Sequence, residues 1–232
     1  MPLLCIGHSH LACVTRAAVT AGVPLRAFNF WDLPGAIVND GGQPRFAEDI
    51  REALIGHAGP VFSFVGGGAH VVLGMLVHPR RFDFVLPDEP DLALDPAAEV
   101  LPATAVRRIL QSMTDEYLTL MGEVRRLASG AMFHIEPPPP SADALRMHAD
   151  VPWVMFPDRC REISPAALRY KLWRLHSQIL RAWCSGNGVT FVEAPAGTSD
   201  ADGFMLDGYY GDGAHANDAY GELVLAQMRQ RA

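Results

Sequence analysis

Near the start of the chain, Gly7-His8-Ser9-His10 follows the apolar run through Leu3, Cys5 and Ile6, and near its end Asp212-Gly213-Ala214-His215 stands directly before a helical pattern. A serine hydroxyl is a weak nucleophile at neutral pH and needs an imidazole to take its proton. His215 is the right type of residue for that base. Asp212, three residues earlier, can hold the imidazole in one tautomer and stabilise its cationic form. Ser9, His215 and Asp212 are therefore the components of acyl transfer. Each also has a plainer role. Ser9 suits a helix N-cap, and the Asp212 segment suits a turn before a helix capped by Asn217 or Asp218. Catalysis is the better joint explanation if the fold brings the two segments to one sheet edge.

Other histidines widen the chemistry. There are nine, and His8 and His10 form a His-x-His at the end of the first strand, a spacing that can ligate a metal ion. Opposing this, Ser9-His10 is expected to open a helix, which sends the two side chains apart, so the expected site holds no metal and needs no cofactor. His134 alternates with Phe133 and Ile135 at a strand end, where it either lines a pocket wall or simply reaches solvent. Tyr209 and Tyr210, beside Asp212, suit an acyl or sugar pocket or an exposed loop.

The elements that must position these residues alternate along the chain. The pattern predicts strands over residues 3–7, 25–30, 61–65, 81–86, 131–135 and 189–192. Helices are predicted over 10–21, 46–57, 104–128, 165–184 and 218–230. A Gly- and Pro-rich loop spans 31–45, and Gly66-Gly67-Gly68 ends the third strand sharply. Strands separated by helices favour a mostly parallel sheet covered on both faces, with ligands bound beyond the carboxyl ends of the strands. Residues 137–164 lack periodicity and are prolines at 137–140, so they are expected to cap the site.

At 232 residues and 49% hydrophobic content the chain can bury one sizeable core, and a single domain over 1–232 is expected. A formal net charge of -7, with the basic residues scattered, opposes nucleic-acid binding. The apolar windows are broken by charge or proline, so no membrane insertion is expected. Four dispersed cysteines without CxxC spacing fit a reducing, cytoplasmic setting. The oligomeric state is not readable.

Ile6-Gly7-His8-Ser9-His10-Leu11 resembles the Gly-Asp-Ser block of the SGNH (GDSL-like) hydrolases, and Asp212-Gly213-Ala214-His215 resembles their Asp-x-x-His block. Phe64-Val65-Gly66-Gly67-Gly68-Ala69-His70 falls where that family keeps Gly-x-Asn. The resemblance implies a three-layer, flavodoxin-like α/β fold and hydrolysis of a carboxylic ester, the acyl or acetyl group being carried on a sugar, lipid or small molecule. It implies oxyanion donors at the Ser9 N–H and at Gly41 or Gly42 after the second strand. The family asparagine is Gly68 here, so His70 or the Gly68 N–H must replace its side chain. His8 replaces the usual aspartate before the serine. A metal-dependent hydrolase using His8 and His10, and a catalytically weakened domain that binds a carbohydrate or acyl group, are the two alternatives.

Overall fold

The computed structural model describes residues 2–151, 153 and 160–232. An inner strand of its main sheet is β1 (Leu3–Gly7), five residues that are all buried. A strand covered on both faces has no polar side to alternate with, which is why this segment reads as a continuous apolar run. β2 (Leu25–Asn29), β5 (Val61–Phe64), β8 (Met132–Ile135) and β9 (Thr190–Val192) complete a sheet of order β2-β1-β5-β8-β9 in which every pair is parallel. The chain winds outward from β1 first to one side and then to the other, so the order reverses between β1 and β5. That reversal creates a crevice at the carboxyl ends of these two strands. Ser9 follows β1, and the three glycines follow β5.

Helices cover both faces, giving a three-layer α/β fold of flavodoxin-like order. On one face, α1 (Leu11–Thr20) and α7 (Asp218–Arg229) bury Leu11, Val14, Val224 and Leu225 against Leu3, Cys5, Phe62 and Phe64. On the other, α2 (Glu48–Ile55), α4 (Ala103–Leu127) and α6 (Ala166–Gly186) close over Leu4, Ile6 and Val61. Successive strand residues point to opposite faces, and here odd and even positions of β1 serve the two layers. α1 and α7 lie close together. An added Cβ at Gly221 would come within 2.4 Å of the Cys13 carbonyl oxygen, so only glycine permits that approach. Because α1 starts just after Ser9 and α7 just after His215, this contact joins the two chain ends carrying the candidate chemistry.

Three expectations need correction. The segment 31–45 is not all loop: β3 (Ile37–Asp40) and β4 (Gln43–Phe46) pair as an antiparallel hairpin. Gly41 and Gly42, at φ 60° and 89°, form its two-residue turn, the positive-φ geometry that such a turn requires. The expected strand at 81–86 shrinks to β6 (Phe82–Asp83), paired with β7 (Glu99–Val100). Two helices went unread. α3 (Ala69–Gly74) starts immediately after the glycines, and α5 (Ala144–Asp150) lies within 137–164, started by Asp143, whose carboxylate accepts the Arg146 N–H. Part of that cap, residues 152 and 154–159, lies outside the described residues. Among the described residues no helix is long and apolar enough to cross a membrane.

Candidate active site

The loop before α7 holds the clearest chemistry. His215 Nδ1–H donates to Asp212 Oδ1 at 2.7 Å and to Oδ2 at 2.9 Å. The Ala214 and His215 N–H groups donate to the same Oδ1 at 2.9 and 3.0 Å. Burial pushes the Asp212 carboxyl up, but the hydrogen bond from His215, together with the backbone donors and the imidazole charge, outweighs it and holds the group below its usual range. An ionised carboxylate can only accept, so the proton of neutral His215 sits on Nδ1 and Nε2 keeps its lone pair. That is the tautomer a general base needs.

The His215 ring lies against that of His10, with centroids 5.6 Å apart. His10 directly follows Ser9, so the α1–α7 contact brings base and candidate nucleophile into one neighbourhood. α1 has no side-chain cap, and the residue at its N-cap position is His10. The Ser9 hydroxyl is thus not spent on a helix start. Gly7 is required here for space: an added Cβ would stand 2.5 Å from the Phe64 carbonyl carbon, so the end of β1 lies flush against β5. His10 is half-buried, and desolvation of its ring, together with repulsion from His215 whenever that ring is protonated, lowers its pKa to about 3. It stays neutral at ordinary pH.

On the far side of the crevice, Gly67 leaves room for the His10 ring, whose Cδ2 is 3.0 Å from where a Cβ would sit. Gly68 is the N-cap of α3, which has no side-chain cap, so backbone N–H groups at that helix start have no intrahelical acceptor. A Cβ on Gly68 would meet nothing within 4 Å. One turn into α3, His70 lines a cleft together with Asp212, His215, Tyr210, Arg169 and the prolines 138–140. Its Nδ1 is 3.1 Å from Nδ1 of His176, a fully buried residue of α6. Desolvation lowers both pKa values, that of His176 to about 4, so both rings are neutral and one Nδ1 must donate to the other. His176 Nε2 has no partner among the described residues. A lone pair in that position is less costly than an unpaired N–H. His176 therefore donates from Nδ1, His70 accepts, and the His70 proton resides on Nε2.

Of the residues singled out from sequence, Asp212, His215 and His70 meet at one cleft. Ser9 adjoins it through His10 without lining it, and Gly68 stands at the start of α3. Three do not join them. Gly41 and Gly42 sit at an exposed hairpin tip, where the Gly42 N–H is already donated to Asn39 Oδ1 at 2.9 Å. His134 is fully buried, facing Ser63 Oγ at 3.3 Å and Phe191, and does not line the cleft. His8 and His10 are committed to different neighbours. His8 packs edge-on against Phe30 and Tyr117, and its Nδ1 accepts the Gly66 N–H at 3.2 Å. Among the described residues no group of three His, Cys, Asp or Glu side chains is arranged to hold a metal ion. Tyr210 does line the cleft, while Tyr209 packs against Tyr220. The residues unread from sequence, Arg169 and His176, share a face of α6 at a spacing of seven, with Trp173 between them.

No family model and no curated protein matches the chain. Solved structures similar to it include an aryl esterase of M. smegmatis, 13% identical over 100% of both chains at a TM-score of 0.44. A GDSL-like lipase of Bacteroides thetaiotaomicron is 15% identical, covering 99% of this chain and 86% of that one at a TM-score of 0.46. A carbohydrate acetylesterase of Sinorhizobium meliloti is 12% identical, covering 99% and 98% at a TM-score of 0.42. Likeness at this level leaves the function to be argued from the site itself.

Proposed function

We propose that the chain is a serine hydrolase of carboxylic esters, with Ser9 as nucleophile, His215 as general base and Asp212 as the residue that orients it. The observation that carries this reading is the bifurcated hydrogen bond from His215 Nδ1–H to both Asp212 carboxylate oxygens, which leaves Nε2 of a base unprotonated beside the loop of an uncapped serine. Ser9 Oγ attacks the ester carbonyl carbon while His215 Nε2 takes its proton. The oxyanion is met by the Ser9 N–H, a backbone N–H at the start of α3 and His70 Nε2–H. As the intermediate collapses, His215 returns the proton to the departing alcohol. Water then attacks the acyl-serine carbonyl, giving a proton to His215, and as the intermediate collapses His215 passes that proton to Ser9 Oγ and the carboxylic acid leaves. Small-molecule, sugar or lipid esters all fit this chemistry, and neither a metal nor a cofactor enters it.

The open space beside Gly68 favours the second reading, a domain that binds an acyl or sugar group with slow turnover. Fluorophosphonate labelling separates the two. An activated serine gives a single adduct on Ser9, absent in Ser9→Ala, whose ester turnover falls by at least about 10³-fold. A folded native protein that takes no label at Ser9 would overturn the hydrolase reading.

A further inference from the structure

Arg169 lies in the first turn of α6, is 4% exposed, and forms part of the cleft wall with Tyr210, Asp212 and His215. Its hydrogen bonds among the described residues all go to neutral acceptors. Nη1–H donates to the Ser164 carbonyl, and Nη2–H donates to those of Ser141 at 2.7 Å and Ala142 at 3.1 Å. Nε has no partner. The other deeply placed cations differ: Lys171, 0% exposed, pairs with Asp83 at 2.5 Å, and Arg51 pairs with Glu123. Arg169 makes no ion pair among the described residues. The acidic groups that act on its charge are the Tyr210 hydroxyl and the carboxylate of Asp143, which caps α5 and is exposed.

Burying a guanidinium without a counter-ion is costly, and clamping three carbonyls would be served at lower cost by neutral donors. A cation kept under those conditions at a cleft wall is matched to an anion that arrives from the cleft. We propose that the ester substrate carries a carboxylate and that Arg169 binds it. Nη2 makes two bonds and Nη1 one, which leaves Nε–H and the second Nη1 N–H without acceptors among the described residues. Two remaining donors suit the two oxygens of a carboxylate better than a phosphate, which needs more. The inference rests on the ester-hydrolase reading for its substrate, and on the wall of the cleft for its anion.

Two p-nitrophenyl esters of matched length test it: the monoester of glutaric acid, with a free carboxylate at the acyl end, and the neutral valerate. For the native protein kcat/KM should favour the glutarate ester by about tenfold or more, the worth of one charge-assisted hydrogen bond. In Arg169→Gln the ratio should fall toward unity, and a ratio is not moved by a general loss of folded protein. Equal rates for the two esters, or a preference for valerate, would overturn the proposal without any variant. If neither ester is cleaved, the hydrolase reading fails separately and binding alone decides. Glutaric acid monoamide should then raise the thermal midpoint of the native protein where valeramide does not, and no difference between the two overturns the anion site.

Discussion

Within Asp212-Gly213-Ala214-His215 one carboxylate oxygen accepts the backbone N–H groups of residues 214 and 215 as well as the His215 ring proton. The same bonds that close the turn fix the imidazole tautomer, so the plain role and the catalytic role are one geometry. That is why this block was legible from residue types and spacing. Gly68 poses the opposite case, a position read as lacking a donor. Its φ of -104° suits any residue, and a Cβ there meets open space. Gly68→Asn should therefore fold normally, gaining only a few tenths of a kcal/mol from the better cap. If the position faces the oxyanion, turnover should rise toward the roughly 10²–10³-fold that one such donor contributes, with little change in KM. Steady-state kinetics at matched denaturation midpoints checks this, and unchanged turnover would leave the oxyanion to His70 and the backbone.

The order and type of the main strands and helices were readable because apolar periodicity follows burial. What was missed lacks periodicity. The β3–β4 hairpin is short and half exposed, and α3 is six residues long and starts on glycines. α6 was found but its site-facing stripe was not: Arg169, Trp173 and His176 fall at spacings of four and three on one helical face, and polar residues within an apolar stripe were the available signal. The element contact that matters most is α1 on α7. Gly221→Ala would place a methyl against the Cys13 backbone, pushing the helices apart at a cost of about 1–3 kcal/mol. Because Ser9 and His215 stand in the loops that lead into the displaced helices, turnover per folded molecule should fall as well, about 10²-fold for a shift near 1 Å. Urea titration and active-site titration on the same sample separate these effects. Full specific activity in the destabilised variant would mean that the contact supports the fold alone. The Arg16–Asp218 ion pair between these helices, at 2.6 Å and half exposed, contributes at most about 1 kcal/mol and would not substitute for the packing.

Across the whole molecule, five of the nine histidines, His8, His10, His70, His134 and His176, are held neutral because burial desolvates their charged forms. Their folded pKa values lie well below 6.5, at about 4 for His8 and His176 and about 3 for His10 and His134. In the unfolded chain each titrates near its ordinary value, so below that pH the unfolded state binds protons that the folded state does not. Stability is therefore complete above about pH 6.5 and is lost as pH falls from there toward about 4, each group contributing up to about 1.4 kcal/mol per pH unit. The Asp212 carboxyl acts in the same direction, but only below the ordinary carboxylate range. Urea midpoints measured between pH 7 and pH 5 should fall with a slope corresponding to uptake of more than one proton on unfolding. His134→Gln, which keeps a polar group near Ser63 Oγ but cannot ionise, should flatten that slope even if it lowers stability at pH 7. A midpoint constant over this range would mean that the histidine row from the cleft to the sheet interior takes up protons while folded, and that its neutrality is not what the fold enforces.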